Sequence, residues 1–160
     1  MPHLKLITFD LDNTLWPVAE VIERAELASS RFLQTRFPDH ADAFSVPALH
    51  AIRNHLAINQ THYWKNLTRL RTDMLTTALT AQGISLPEAQ RTASEAFDVF
   101  YAARNQVIFF PDAEAILQAL GQRYLLGALS NGNANLDPIG IRNLFAFHHS
   151  AERVGDAKPS

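Results

Sequence analysis

The sequence predicts an α/β protein, a parallel sheet of about three strands interrupted by an all-helical insertion. Three observations carry that expectation. Leu4 to Phe9 is an apolar, β-rich run that ends in two acids, Asp10 and Asp12. Tyr124 to Leu129 is a second such run, and it ends in Ser130-Asn131-Gly132-Asn133. Between them, from 17 to 107, apolar residues recur at the three- and four-residue spacing of amphipathic helices. Strands separated by helices favour parallel pairing with right-handed crossovers, and such sheets bind ligands beyond the carboxyl ends of their strands.

Each element has its own warrant. Val18, Val21, Ile22, Ala25, Ala28 and Phe32 form the stripe of a first helix running from Val18 to Phe37. A polar stretch bounded by Pro38 and Pro47 follows, then helical spacing from Pro47 to Ile58. One helix is expected from Thr61 to Gln82 through Trp64, Leu67, Leu70, Met74 and Ala78, and another from Pro87 to Arg104 through Ala93, Phe97, Phe100 and Tyr101. Gly83 and Pro87 act as stop and start between them. Pro111-Asp112 opens a helix with Ala115, Ile116, Leu117 and Leu120 on its apolar face, ahead of the second strand. A short helix from Pro138 to Leu144 leads to a third strand at Phe145 to Ser150.

Composition narrows the function classes. The chain of 160 residues is 47% hydrophobic and 19% charged, which describes a globular protein rather than a disordered one. Its 14 basic and 16 acidic residues give a net charge of -2 without a basic stripe, so nucleic acid is not the expected partner. No apolar run approaches the roughly 20 residues of a membrane helix, and MPHLKLITFD lacks the features of a secretion signal; a cytoplasmic location is expected. With no cysteine, disulfide scaffolds, thiolate zinc sites and cysteine nucleophiles are excluded together. Attention falls on carboxylates.

Asp10 and Asp12 would point to one side if the strand stayed regular, and like charges crowded there call for a cation. A hard divalent ion such as Mg²⁺ suits oxygen ligands. The competing reading makes Asp12 a turn or cap residue, which Asp-Asn-Thr favours. Trp16 either lines a site entrance or packs against Pro17 and Val18, whereas Tyr63, Trp64, Phe97 and Tyr101 sit at helical spacing and read as helical core. His55, His62 and the His148-His149 pair lack ordered ligand spacing and read as surface or structural residues.

The string FDLDNTL at 9 to 15 resembles the first motif of the haloacid dehalogenase-like hydrolase superfamily, Asp-x-Asp-x-Thr after an apolar strand. Ser130-Asn131 is similar to its second motif and Lys158-Pro159 to its third, in the family's order, and the helical residues 17–107 occupy the insertion site of its helical cap. The resemblance implies a Rossmann-like core from 1–16 and 108–160. Asp10 would then be the nucleophile, forming an aspartyl-phosphate, and Asp12 the general acid and later base. Mg²⁺ would be held by the Asp10 carboxylate and the Asp12 carbonyl. Leu11 and Asp12 amides, Ser130, Asn131 and Lys158 would hold the phosphoryl group of a small phosphorylated metabolite. In the family's dehalogenase branch the second acid is absent, because a halide leaves without a proton; Asp12 therefore favours phosphate esters. SNGNANLDPIGIRNLFAF and GDAKPS look like the small bacterial phosphatases acting on flavin mononucleotide and on a phosphorylated ribitylaminouracil.

The family's fourth motif, an acid pair after the third motif that completes the Mg²⁺ sphere, has no counterpart before Ser160, and Asp156 precedes Lys158. The expectation is a C-terminally incomplete core whose first strand has an uncovered edge, inviting self-association. Two further readings stand beside the phosphatase: a non-catalytic binding protein lacking the last metal ligand, and a mutase, separable by its isomerised product.

Overall fold

The computed structural model describes residues 4–59 and 61–159. A parallel three-stranded sheet is present, in the order β1 (Leu6–Phe9), β2 (Leu125–Ser130), β3 (Phe147–Ser150). Leu6 pairs with Leu125, and Gly127 with Phe147. The central strand β2 is buried along most of its length, whereas the outer strand β1 alternates exposed and half-buried residues. That contrast follows from position: β2 has a neighbour on each side.

Helices α1 (Val18–Arg36), α2 (Val46–Asn59), α3 (Leu67–Ala81) and α4 (Leu86–Arg104) follow β1. Then come α5 (Ala113–Gly121) before β2, the short α6 (Leu136–Ile139) before β3, and α7 (Ala151–Val154) after it. The chain separates into two compact units, one comprising the residues up to Val21 and from Asn105 onward, the other Ile22–Arg104. Among the described residues no helix is long and apolar enough to cross a membrane.

In the sheet unit, Leu11, Leu15, Trp16, Leu117, Leu126, Leu136, Ile141 and Phe145 form the buried core. Gly127 is required there by close approach: the Phe147 ring of the paired strand lies over it, so an added methyl carbon would meet the ring itself. In the helical unit, α4 presents Ala89, Ala93 and Ala96, three small side chains that let α3 approach with Met74, Leu75, Ala78 and Leu79. Ser29 Oγ donates to the Ala96 carbonyl at 2.9 Å and Ser30 Oγ to that of Phe44 at 2.6 Å, so the polar atoms on this face of α1 are satisfied.

Several expectations are corrected. The single helix from Thr61 to Gln82 is two pieces, a 3₁₀ turn at Thr61–Lys65 and then α3. Asn66 separates them because its side chain accepts from the Arg69 amide at 2.7 Å, an N-cap that starts a new helix. The helix expected over 138–144 is α6 followed by a 3₁₀ turn at Arg142–Leu144, divided at Gly140, whose φ of 89° is left-handed. The segment 38–44, read only as polar, is a 3₁₀ stretch, and β3 begins at Phe147 because Phe145 caps the preceding turn. Tyr63 is buried but stands in the 3₁₀ turn with its hydroxyl donating to Asp73 at 2.7 Å. The side chain of Trp64 lies outside the described residues.

Candidate active site

The first motif leaves β1 and turns at once. Asp10 and Asp12 therefore do not share an extended strand: β1 ends at Phe9, the Leu11 carbonyl accepts from the Thr14 and Leu15 amides at 3.1 and 2.8 Å, and Asn13 takes a left-handed φ of 60°. Asparagine tolerates that conformation. Its Oδ1 accepts from the Val18 amide at 3.0 Å, which ties the turn to the first residue of α1. The Asn13 amide donates to the Trp16 carbonyl at 2.8 Å, closing the loop.

Trp16 resolves to neither surface lining nor simple packing. Its indole is fully buried, meets Phe109 edge-on at 5.6 Å, and donates from Nε1 to Asp12 Oδ1 at 2.8 Å. The apolar core thus holds one carboxylate oxygen of Asp12 in place. A tryptophan four residues after an acid was the available signal in the sequence.

The second motif ends β2. Ser130 is 4% exposed, and its Oγ accepts from the Gly132 amide at 3.0 Å. Among the described residues its hydroxyl proton has no acceptor. Asn131 does something the sequence did not disclose: its side chain clamps the main chain of Lys158, accepting from the Lys158 amide at 2.8 Å and donating to the Lys158 carbonyl at 2.9 Å. This pair of hydrogen bonds fixes the third motif against the second.

Lys158 Nζ lies 2.8 Å from Asp10 Oδ1 and donates to the Leu129 carbonyl at 2.6 Å. Asp10, Ser130, Asn131 and Lys158 are therefore gathered around the carboxyl ends of β1 and β2, with Leu11 and Asp12 in the adjoining turn. The Asp10 and Lys158 side chains stay 40% and 45% exposed, open to a ligand. Asp156 Oδ1 accepts from the Ala157 amide at 3.1 Å.

Residues 4–160 match the model of the haloacid dehalogenase-like hydrolase family. The chain belongs to that family. Within it, the chain is 28% identical over 157 residues to the 5-amino-6-(5-phospho-D-ribitylamino)uracil phosphatase YigB of Escherichia coli K12, covering 98% of this chain and 66% of that protein. The crystal structure of a 2-haloacid dehalogenase from Pseudomonas syringae superposes with a TM-score of 0.86 at 35% identity, over 99% of this chain and 68% of that one. YfnB of Bacillus subtilis shares the fold, with a TM-score of 0.56 at 15% identity over 99% of this chain and 70% of its own. The haloacid dehalogenase-like sequence thus spans about two thirds of the length of these relatives.

Proposed function

We propose that the protein is a Mg²⁺-dependent phosphate monoester hydrolase of small phosphorylated metabolites, working through an aspartyl-phosphate. The observation that carries this reading is Asp12, a second acid two residues beyond Asp10, whose carboxylate is oriented by the Trp16 indole. An ester oxygen needs a proton to leave and a halide does not. This separates the reading from dehalogenation, the activity for which the Pseudomonas syringae protein is named. The phosphorylated substrate in YigB's name supports the same class, with phosphorylated ribitylaminouracil and flavin mononucleotide as the first compounds to try.

In this reading an Asp10 carboxylate oxygen attacks phosphorus, the bond from phosphorus to the ester oxygen breaks, and Asp12 gives its proton to the departing alkoxide. Asp12, now a carboxylate, takes a proton from the water that attacks the aspartyl-phosphate, freeing phosphate and regenerating Asp10. The free Ser130 hydroxyl proton, the Asn131 amide, the Leu11 and Asp12 amides and the Lys158 ammonium hold the phosphoryl oxygens. Lys158 spends two of its donors on Asp10 and the Leu129 carbonyl, which leaves a third for substrate. In the same reading, helical residues 17–107 are the family's cap insertion.

Mg²⁺ suits the donors present. The Asp10 carboxylate and Asp12 carbonyl are hard oxygens, and this ion keeps several waters, binding through one or two carboxylates plus substrate oxygens. When bound it offsets phosphate charge as a carboxylate approaches. Among the described residues no three His, Cys, Asp or Glu side chains form a metal group, the observation that favours the second reading, a non-catalytic phosphate-binding protein. The outer edge of β1, with Leu6 exposed, supports self-association as part of either reading.

Parallel assays on the whole protein decide between these. Phosphate release from p-nitrophenyl phosphate that needs Mg²⁺, without chloride release from 2-chloropropionate, is expected. Chloride release would overturn the assignment, and Mg²⁺-independent phosphate binding without turnover would favour the second reading.

A further inference from the structure

The helical unit contains a charge cluster that no part of the proposed chemistry uses. Glu26 on α1 is shared by three basic side chains: Oε2 pairs with His50 Nε2 at 2.7 Å, and Oε1 accepts from Arg53 at 3.1 Å and Arg71 at 3.0 Å. His50 and Arg53 stand on α2 and Arg71 on α3, so three helices meet at one carboxylate. Arg71 is further fixed by stacking over the Phe100 ring of α4, its guanidinium carbon 3.9 Å from the ring centre.

One carboxylate does not balance two guanidinium groups. Each guanidinium has five N–H donors. Among the described residues, Glu26 is the only acceptor to which Arg53 and Arg71 donate, one bond from each. Both arginines line a pocket of about 250 Å³, together with Asn54, Tyr63, Leu67 and Leu70. Cations that are largely buried, held rigid and short of acceptors are what an oxyanion completes. The apolar wall suits a short carbon skeleton attached to it.

We propose that this pocket is a binding site for a small organic oxyanion, seated on Arg53 and Arg71 in place of a second carboxylate. The site lies wholly within the helical unit and stands whether or not the phosphatase reading holds.

The test is an NMR titration of the whole protein, once with inorganic phosphate and once with butyrate, following the backbone amides of Asn54, Leu67 and Leu70. Saturable shifts with at least one probe are expected. Phosphate alone marks a phosphoryl ligand, butyrate alone a carboxylate, and both a general oxyanion seat. Arg53→Gln should weaken the affinity roughly tenfold. Glu26→Gln should tighten it, because the competing carboxylate is gone. If Arg53→Gln fails to fold, Arg53→Lys keeps the charge, loses the fork, and must still weaken binding. No saturable shift with either probe, or an affinity indifferent to Arg53, overturns the proposal. So do shifts confined to the region of Asp10 and Ser130.

Discussion

Lys158 Nζ sits 2.8 Å from Asp10 Oδ1, joining residues 148 positions apart in the chain. The contact is held from behind by the Asn131 side chain, which bonds both the amide and the carbonyl of Lys158. A cation so placed stabilises charge on the proposed nucleophile and, once phosphate arrives, on its oxygens. Lys158→Met is expected to lower kcat about 100-fold. Because the side chain is nearly half exposed, the melting temperature should barely move. Steady-state kinetics and a thermal melt on the same sample check both parts.

The Trp16 indole makes a different prediction. Trp16→Phe keeps a ring in the core but removes the donor to Asp12 Oδ1. If Asp12 protonates the leaving group, the loss should be about tenfold greater for phenyl phosphate than for p-nitrophenyl phosphate, whose leaving group needs less help. A defect in packing alone would slow both substrates equally.

Close approach predicts the effect of Gly127→Ala. The new methyl would lie 2.6 and 2.8 Å from the Phe147 ring carbons Cε2 and Cε1, distances at which the ring must move from its place in the packing between β2 and β3. A loss of about 2 kcal/mol by denaturant unfolding is expected. Adding Phe147→Leu to the same chain should recover part of it.

Two pH windows follow from the ionisable groups. Burial alone would raise the Glu26 carboxyl, but the Arg71 charge and the bonds from His50 and Arg71 outweigh it and hold the group below its ordinary 4.5. Its folded form binds fewer protons, so its stabilisation is fully present above 4.5 and is lost as the pH falls through the lower folded value. Glu26→Gln should cost about 3 kcal/mol at neutral pH yet give a flatter acid limb. His148 is held below 6.5 chiefly by burial, with Arg153, Arg142 and His149 adding repulsion, and its Nε2 has no partner among the described residues. Stability from keeping it neutral is present above 6.5 and declines below. Thermal melts of His148→Phe between about pH 7.5 and 5.5 should be less pH-sensitive than those of the parent chain.

Much of this arrangement was legible in the sequence, and the remainder was hidden for physical reasons. Strands β1 and β2 announced themselves as apolar runs ending in polar clusters, and the stripes of α1 and α4 marked those helices within a residue or two. The break at Asn66 was not visible, because apolar spacing continues across it while a side-chain cap decides the helix start. Asp10 and Lys158 could be named from their motifs, whereas the Asn131 clamp depends on a fold that brings residues 131 and 158 together. The Glu26 cluster was hidden because only His50 and Arg53 share a helix, while Glu26 and Arg71 come to them from α1 and α3 through the packing of the helices.

Whether Asp10 carries the phosphoryl group is tested most directly by trapping the adduct. The whole protein, mixed with p-nitrophenyl phosphate and Mg²⁺ and quenched in acid within one turnover, should show by mass spectrometry the added mass of one phosphoryl group on the peptide containing Asp10. Asp10→Asn should show neither that adduct nor phosphate release. Phosphate release by Asp10→Asn at the parent rate, or an adduct on another residue, would contradict that role.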